Sequence, residues 1–373
     1  MGFMLNPLSQ VSLERLRQRT SVKWREFPDD VLPLWVAEMD VDLCEPVKKA
    51  LTDALELGDT GYPAGTAYPE ALAAFAKRRW DWDLPVERTA LVSDVMLGAV
   101  ELIKLVSGPG APVIVSPPVY PPFFLFVRST GRAVVEAPLR GGRLDLDVIE
   151  WTFRHVKADR PVYLLCNPQN PTGAVHTAEE LTALARLAGK YGVRVIADEI
   201  HAPVVSGNAR FVPYLSIDPQ GMSLMSASKG WNLAAMRAAV AISGTDELAK
   251  LPEEVSHGPS HFGTIAHAAA LRDGGEWLDA LLQGLDENRK LLKNLLTEHL
   301  PEIGYEPSEA TFLAWLDCRA VSNDPAAFFL ERGRVALMSG DGFGSGGAGH
   351  VRFNIGTSPE IITEAVRRMA ASR

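Results

Sequence analysis

The sequence predicts an α/β fold, with a large, mainly parallel sheet flanked by helices and a smaller α+β domain built from both termini. Short apolar runs bounded by Gly, Pro or Asp alternate with helical patterns through the middle of the chain. This alternation changes at Gly274-Gly275, where a long helical pattern begins. The length of 373 residues also favours two domains, because a single core stops growing near ~250–300 residues.

The strands of the large sheet are predicted from apolar runs that are too short for buried helices. These runs are Pro112–Ser116, Ala133–Ala137, Val162–Cys166, Val193–Ala197, Met222–Ser226 and Ala238–Ser243. The clearest helix between them runs from Thr177 to Lys190, where Thr177 and Glu180 match a capping box. Repeated strand–helix–strand units indicate parallel strands with helices on both faces.

The smaller domain is predicted from the pattern after Gly275. Leucines recur at helical spacing from Glu276 to Leu300, and strand-like Phe312–Leu316 and Val351–Ile355 precede a final helix from Pro359. We expect an N-terminal segment that packs on the small domain, a large domain and the small domain itself, over residues 1–45, 46–275 and 276–373 respectively.

Composition excludes several classes of protein. The net charge of −9 argues against a nucleic-acid partner, which normally requires a basic face. No apolar run reaches the ~18 residues of a membrane span, so we expect no membrane partner. The three cysteines are far apart and form no Cys-x-x-Cys, which fits a reducing, cytoplasmic location. His257, His261 and His267 lack the spacing of a known metal motif, so we expect no metal site.

Four motifs follow predicted strands or open a helix, and each also has a purely structural interpretation, such as a turn or a helix cap. They are Asn167–Gly173, Asp198–His201, Ser226–Lys229 with the later Arg237, and Ser93–Met96. Ligands of α/β sheets bind at the carboxyl ends of the strands, so we expect the motifs to converge there.

The residue types indicate a specific chemistry at that edge. A lysine with a lowered pKa, here Lys229, can form a Schiff base with an aldehyde. Arg237 can bind a phosphate as a planar fork, and the free N–H groups at the helix start can bind an anion. Asp198 can pair with a buried cation.

Together these residues resemble the fold-type I pyridoxal phosphate (PLP) enzymes, the aspartate aminotransferase superfamily, over nearly the whole chain. Three segments resemble a narrower group, the MalY/PatB-like cystathionine β-lyase or C–S lyase branch. These segments are Leu34–Asp40, Pro117–Phe123 and Asp198–His201. The resemblance implies a sheet of the seven-stranded type and covalently bound PLP.

The resemblance also implies roles around the cofactor ring. Lys229 would hold PLP as a Schiff base and then transfer the Cα proton of the substrate. Asp198 would pair with the pyridine nitrogen. Asn170 would donate a hydrogen bond to the ring oxygen, with His201 near it, and Tyr120 would stack on the ring and take part in catalysis.

At the phosphate, the resemblance implies contacts from Ser226, from Arg237 and from the amides of Val95 and Met96. Family members often have Gly at the position of Asp94. A carboxylate there is unfavourable beside a phosphate unless it points away or caps the helix.

The remaining implied roles concern the substrate and a second subunit. Arg352 would bind the α-carboxylate of an amino-acid substrate, together with Ala37 and Asn170. Tyr62 would reach the phosphate of the partner subunit in a homodimer.

The expected reaction is α,β-elimination from L-cystathionine or another L-cysteine S-conjugate, which gives a thiol, pyruvate and ammonia. The same residues also serve an aminotransferase that uses an amino acid and a 2-oxo acid. A third possibility is a regulatory or binding protein that keeps the fold without turnover. The preference for a lyase depends on the branch-like segments, which is an analogy.

Overall fold

The computed structural model describes residues 5–373. Its strands are β1 Leu32–Pro33, β2 Thr89–Val92, β3 Val113–Val115, β4 Val134–Glu136, β5 Val162–Cys166, β6 Arg194–Asp198, β7 Met222–Met225, β8 Ala239–Ser243, β9 Leu313–Asp317, β10 Val335–Ala336, β11 Met338–Ser339 and β12 His350–Asn354. Its helices are α1 Leu13–Leu16, α2 Val22–Arg25, α3 Glu45–Leu57, α4 Ala67–Trp80, α5 Val95–Val106, α6 Pro122–Ser129, α7 Leu146–His155, α8 Ala178–Tyr191, α9 Glu253–Ser256, α10 His261–Asp273, α11 Gly275–His299, α12 Pro325–Gly333 and α13 Pro359–Ala371.

The large sheet has seven strands in the order β2-β8-β7-β6-β5-β3-β4. Strand β8 runs opposite to the other six strands of this sheet, so the prediction of a mainly parallel sheet is confirmed. All six predicted strands are present, with ends that shift by about one residue. Strand β2 was not predicted, because this four-residue edge strand is mostly half-buried and so lacks a continuous apolar signal.

Helices cover both faces of this sheet. One apolar cluster joins the sheet to α5 and α6, and another joins it to α7 and α8. Helix α8 begins as predicted, since Thr177 and Glu180 form the capping box. It ends at Gly192, whose φ of 66° is a left-handed conformation that glycine adopts without strain.

A second, antiparallel sheet has the order β11-β12-β9 and brings Arg352 of β12 towards the large sheet. The N-terminal segment contributes β1, which pairs in parallel with β10. The long helix α11 lies within one residue of its predicted bounds. The division of the chain at residues 45/46 and 275/276 stays a prediction. No helix within residues 5–373 has both the length and the apolar character needed to cross a bilayer.

Candidate active site

A cavity of about 330 Å³ lies at the carboxyl ends of β5 and β6. Nine of the predicted site residues line it: Ala37, Val95, Met96, Tyr120, Asn170, Asp198, His201, Lys229 and Arg237. The motifs that the sequence placed at strand ends therefore do converge, as the topology of a parallel sheet requires.

Asp198 is the last residue of β6 and is 4% exposed. Its Oδ1 accepts a hydrogen bond of 3.1 Å from the backbone N–H of Ile200. Burial raises the pKa of Asp198 to about 7, although this N–H and the charge of Lys229 act in the opposite direction. A cation that binds beside a buried carboxyl of this kind stabilises its ionised form.

Lys229 follows β7, and its Nζ donates a hydrogen bond of 3.0 Å to the carbonyl of Ala37. Burial lowers the pKa of Lys229 to about 8, and the nearby charge of Arg352 lowers it further while Asp198 raises it. A larger fraction of the amine is therefore neutral near neutral pH than in an ordinary lysine. A neutral amine is the form that attacks an aldehyde.

Arg352 lies behind the cavity and is 2% exposed. Its Nη1 donates to Oδ1 of Asn170 at 3.1 Å, and its Nη2 donates to the carbonyl of Trp35 at 3.2 Å. Burial lowers its pKa to about 10. Its Nε has no hydrogen-bond partner among residues 5–373, and no carboxylate there forms an ion pair with it. A buried, incompletely satisfied guanidinium suits the carboxylate of a ligand.

His201 and Tyr120 complete the inner part of the cavity. Burial, then Lys229 and Arg352, hold the pKa of His201 well below its usual value, so the imidazole is neutral. Its buried Nδ1 has no hydrogen-bond partner in the part of the chain that the structure describes. Burial raises the pKa of Tyr120, so its hydroxyl stays protonated at neutral pH.

The outer part of the cavity is formed by the start of α5 and by Arg237. Asp94 caps this helix, since its Oδ1 accepts a hydrogen bond of 2.9 Å from the N–H of Leu97. Its Oδ2 forms an ion pair with Arg237. The carboxylate that the sequence analysis singled out thus both caps the helix and holds the guanidinium expected to bind phosphate.

Two residues predicted to bind the cofactor do not line the cavity. The hydroxyl of Ser226 donates to the carbonyl of Ala238 at 2.8 Å, and Ser226 is 5% exposed. Tyr62 lies between α3 and α4 and is 83% exposed. Their roles stay predictions.

Six further residues that line the cavity were not predicted as site residues. They are Pro122, Phe126, Cys166, Ile200, Ser228 and Ala234. Cys166 directly precedes the motif Asn167–Gly173, and Ile200 and Ser228 lie inside the motifs Asp198–His201 and Ser226–Lys229, so their position at a strand end was an available signal. Phe126 lies one turn along α6 from Pro122, and only the tertiary fold brings that helix to the cavity.

The residues present fit PLP. The buried Asp198 suits a pyridinium nitrogen, and the unpartnered Nδ1 of His201 suits a polar ring substituent. The amine of Lys229 lies in the same cavity for an aldehyde. Arg237 and the N-terminus of α5 offer the two kinds of group that bind a phosphate.

Comparison with known proteins agrees with this geometry. The chain matches the model of the aminotransferase class I and II family over residues 29–369. The protein belongs to this family. This aminotransferase class I and II family member is similar to a Mycobacterium leprae protein provisionally designated a cystathionine β-lyase. The two sequences are 54% identical in an alignment that covers 98% of this chain and 97% of that one.

Another relative is the Corynebacterium glutamicum cystathionine β-lyase, at 34% identity over 96% of this chain and 98% of that enzyme. Among solved structures, the PLP-bound C–S lyase of Staphylococcus hominis superposes with a TM-score of 0.89 at 25% identity over 95% of each chain. These similarities support the resemblance to the PLP enzymes that the sequence motifs indicated.

Proposed function

We propose that this protein is a PLP-dependent carbon–sulfur β-lyase that cleaves L-cystathionine or another L-cysteine S-conjugate to a thiol, pyruvate and ammonia. The observation that carries the proposal is a single cavity that both Lys229 and the buried Asp198 line, with Arg352 hydrogen-bonded to Asn170 of the same lining. The Corynebacterium glutamicum cystathionine β-lyase and the Staphylococcus hominis C–S lyase support this choice within the family.

Five residues account for binding of the cofactor ring and its phosphate. Lys229 would bond to the PLP aldehyde, and Asp198 would pair with the protonated pyridine nitrogen. Asn170 would donate to the ring oxygen, and Tyr120 would contact the ring. Arg237 binds the phosphate beside the N–H groups that open α5.

When bound, PLP supplies an electron sink that stabilises negative charge at the substrate Cα. Arg352 and the backbone of Ala37 hold the substrate carboxylate, which fixes the direction of the Cα–H bond. The amine of Lys229 takes the Cα proton, and its lowered pKa keeps it neutral enough to do so. The electron pair of the broken Cα–H bond would form a Cα–Cβ double bond as the Cβ–S bond breaks, and the pair of the Cβ–S bond would leave on sulfur as a thiolate that takes up a proton. The three-carbon product would be released as 2-aminoacrylate, whose imine tautomer is hydrolysed by water to pyruvate and ammonia.

We also propose that the protein acts as a homodimer in the cytoplasm. Tyr62 is 83% exposed on its own chain, which suits a side chain that contacts the phosphate in a neighbouring subunit. The measurement is the mass of the purified protein in solution. A monomer with full activity would contradict the homodimer.

The test of the lyase function is pyruvate release from L-cystathionine by the purified holoenzyme with no 2-oxo acid added. We expect steady turnover with one thiol released per pyruvate. An enzyme that turns over only when a 2-oxo acid is supplied is an aminotransferase, and that result would overturn the proposal. Absence of turnover with either set of substrates would favour a binding or regulatory role.

A further inference from the structure

The segment Trp35–Met39, here called the strap, joins the lysine and the arginine of the site. Its central residue, Ala37, lines the cavity. Each of its five backbone carbonyls accepts a hydrogen bond from a side chain: Trp35 from Arg352, Val36 from Asn354, Ala37 from Lys229, Glu38 from Asn354 and Lys23, and Met39 from Asn232. The position of the strap is therefore set by side chains from distant parts of the chain, and not by a regular β-ladder.

Asn232 ties the strap to the loop that carries Lys229, three residues earlier. Its Nδ2 donates to the carbonyl of Met39 at 3.0 Å, and its Oδ1 accepts from the N–H of Met39 at 2.8 Å. The side-chain amide of Asn232 thus bonds to both the N–H and the carbonyl of Met39, as a residue of a neighbouring antiparallel strand would. Asn232 adopts a left-handed backbone with φ of 56°, which asparagine and glycine tolerate best.

Asn354 ties the same strap to the strand that carries Arg352. Both lie on β12 two residues apart, so their side chains project from the same face. The Nδ2 of Asn354 donates to the carbonyls of Val36 at 2.8 Å and Glu38 at 2.6 Å. Its Oδ1 accepts from the N–H of Gly356 at 2.7 Å, and the residue is fully buried.

The C-terminal side of the strap has a further anchor outside the cavity. Lys23 and Asp40 form an ion pair of 2.8 Å, and both side chains are fully buried. Lys23 also donates to the carbonyl of Glu38 at 3.0 Å, and the indole N–H of Trp24 donates to Asp40 at 3.2 Å. The C-terminal side of the strap is thus also fixed to α2, independently of the two asparagines.

We propose that Asn232 and Asn354 are positioning residues that clamp the strap, and that the clamp sets where the Lys229 amine lies relative to the Arg352 guanidinium. This inference rests on the proposed function and deepens it. The lysine must reach the Cα proton of a substrate whose carboxylate the arginine holds. The free Lys229 amine and the Arg352 guanidinium both bond to the strap, at Ala37 and Trp35, so a rigid strap fixes their separation whenever the amine is not bonded to the cofactor.

Two variants test the two halves of the clamp. Asn232→Gly removes the amide and keeps the left-handed backbone unstrained. Asn354→Ala removes both bonds to the strap on the arginine side. The matched control is Asn288→Ala, because Asn288 is also fully buried and also donates to two backbone carbonyls, those of Ile355 and Thr357, without touching the strap.

The first readout is hydrogen exchange at the strap amides of the protein without substrate. The N–H of Met39 bonds to Asn232, so we expect its exchange to accelerate about 10-fold in Asn232→Gly. We expect a similar acceleration across the strap in Asn354→Ala and none in Asn288→Ala. Unchanged strap exchange in Asn232→Gly would overturn the clamp. This variant decides the matter if Asn354→Ala does not fold.

The second readout separates positioning from plain structural support. With the holoenzyme, we expect Asn232→Gly to lower kcat about 10-fold with little change in KM, because it loosens the lysine side. We expect Asn354→Ala to raise KM about 10-fold, because it loosens the arginine side. Equal effects of all three variants on kcat and KM would contradict the clamp. A wild-type enzyme without pyruvate release would contradict the lyase function, and hydrogen exchange would still test the clamp.

Discussion

The cavity has an inner end, with Asp198 and Arg352, and an outer end, with Asp94 and Arg237. The two ends differ in what determines the charge of these groups. At the inner end, Asp198 and Arg352 are almost completely buried, and burial moves their pKa values towards the neutral forms. At the outer end, the side chains of Arg237 and Asp94 are 57% and 29% exposed and are paired with each other. Desolvation thus dominates the pKa values of the inner end, whereas the outer end is governed by one ion pair in contact with water.

Lys229→Ala gives the largest expected effect, because it removes at once the side chain that we propose as the nucleophile towards PLP and as the base for the Cα proton. We expect pyruvate release to fall about 10³-fold or more, together with loss of the visible absorbance of covalently bound PLP. The absorption spectrum and a pyruvate assay measure both effects. Lys190→Ala is the control, since Lys190 lies on α8 and pairs with Glu150, and neither residue lines the cavity. Retained absorbance after borohydride reduction and denaturation of Lys229→Ala would show that another residue carries the cofactor.

Asp198→Asn tests how much the negative charge of this side chain at the inner end contributes to pyruvate release. The amide keeps the size of the side chain but cannot become an anion, so it no longer stabilises a protonated ring nitrogen. We expect kcat/KM for pyruvate release to fall about 10²-fold, and PLP to bind more weakly. Asp218→Asn is the control, because Asp218 accepts from the hydroxyl of Tyr214 outside the cavity. An Asp198→Asn enzyme with wild-type kcat/KM would show that pyruvate release does not depend on a negative charge at the inner end, and would contradict the proposed difference between the two ends.

The raised carboxyl pKa values also predict how the cofactor-free protein responds to pH. Burial raises the pKa values of Asp198 and Glu199 to about 7, whereas both are near ~4 in an unfolded chain. Between these values the unfolded chain has lost protons that the folded protein keeps, so these groups make stability fall as pH rises from about 4 to about 7. Buried His176 and His267, with pKa values of about 4, act in the opposite direction.

The measurement is therefore the difference between each variant and the wild type in urea unfolding at a series of pH values. Asp198→Asn and Glu199→Gln should each become more stable relative to wild type as pH rises from about 4 to about 7, by a few kcal/mol at most. A difference that stays constant over this range would mean that the two carboxyls are not desolvated as the structure indicates.

The inner end was largely predictable from the sequence, and the reason is topological. Asn170, Asp198 and Lys229 each follow a predicted strand, and the carboxyl ends of parallel strands share one edge. Local patterns therefore sufficed to bring them together. A local pattern also predicted the capping box of Thr177, because its signal lies within four residues.

What could not be predicted depends on contacts between distant segments. The ion pair of Asp94 and Arg237 joins residues 143 positions apart, and the pairs of Asn232 with Met39 join residues 193 apart. No periodicity or motif encodes which of many polar side chains meet at such separations. The sequence indicated that a carboxylate at Asp94 is unfavourable beside a phosphate. Only the structure shows that this carboxylate already forms an ion pair with Arg237.

Asp94→Asn gives the smallest expected effect and tests the outer end alone. The asparagine still accepts the hydrogen bond from the N–H of Leu97 and so keeps the helix cap, but it releases the charge that holds Arg237. An exposed ion pair contributes little free energy, so we expect the dissociation constant of PLP to fall only about 3-fold. Asp94→Ala separates the two roles, because it frees Arg237 and also removes the cap, at a cost of about 1 kcal/mol in the free energy of unfolding. Weaker PLP binding by Asp94→Asn would mean that the carboxylate aligns Arg237 for the phosphate and does not compete with it, and the outer end would then also depend on fixed geometry.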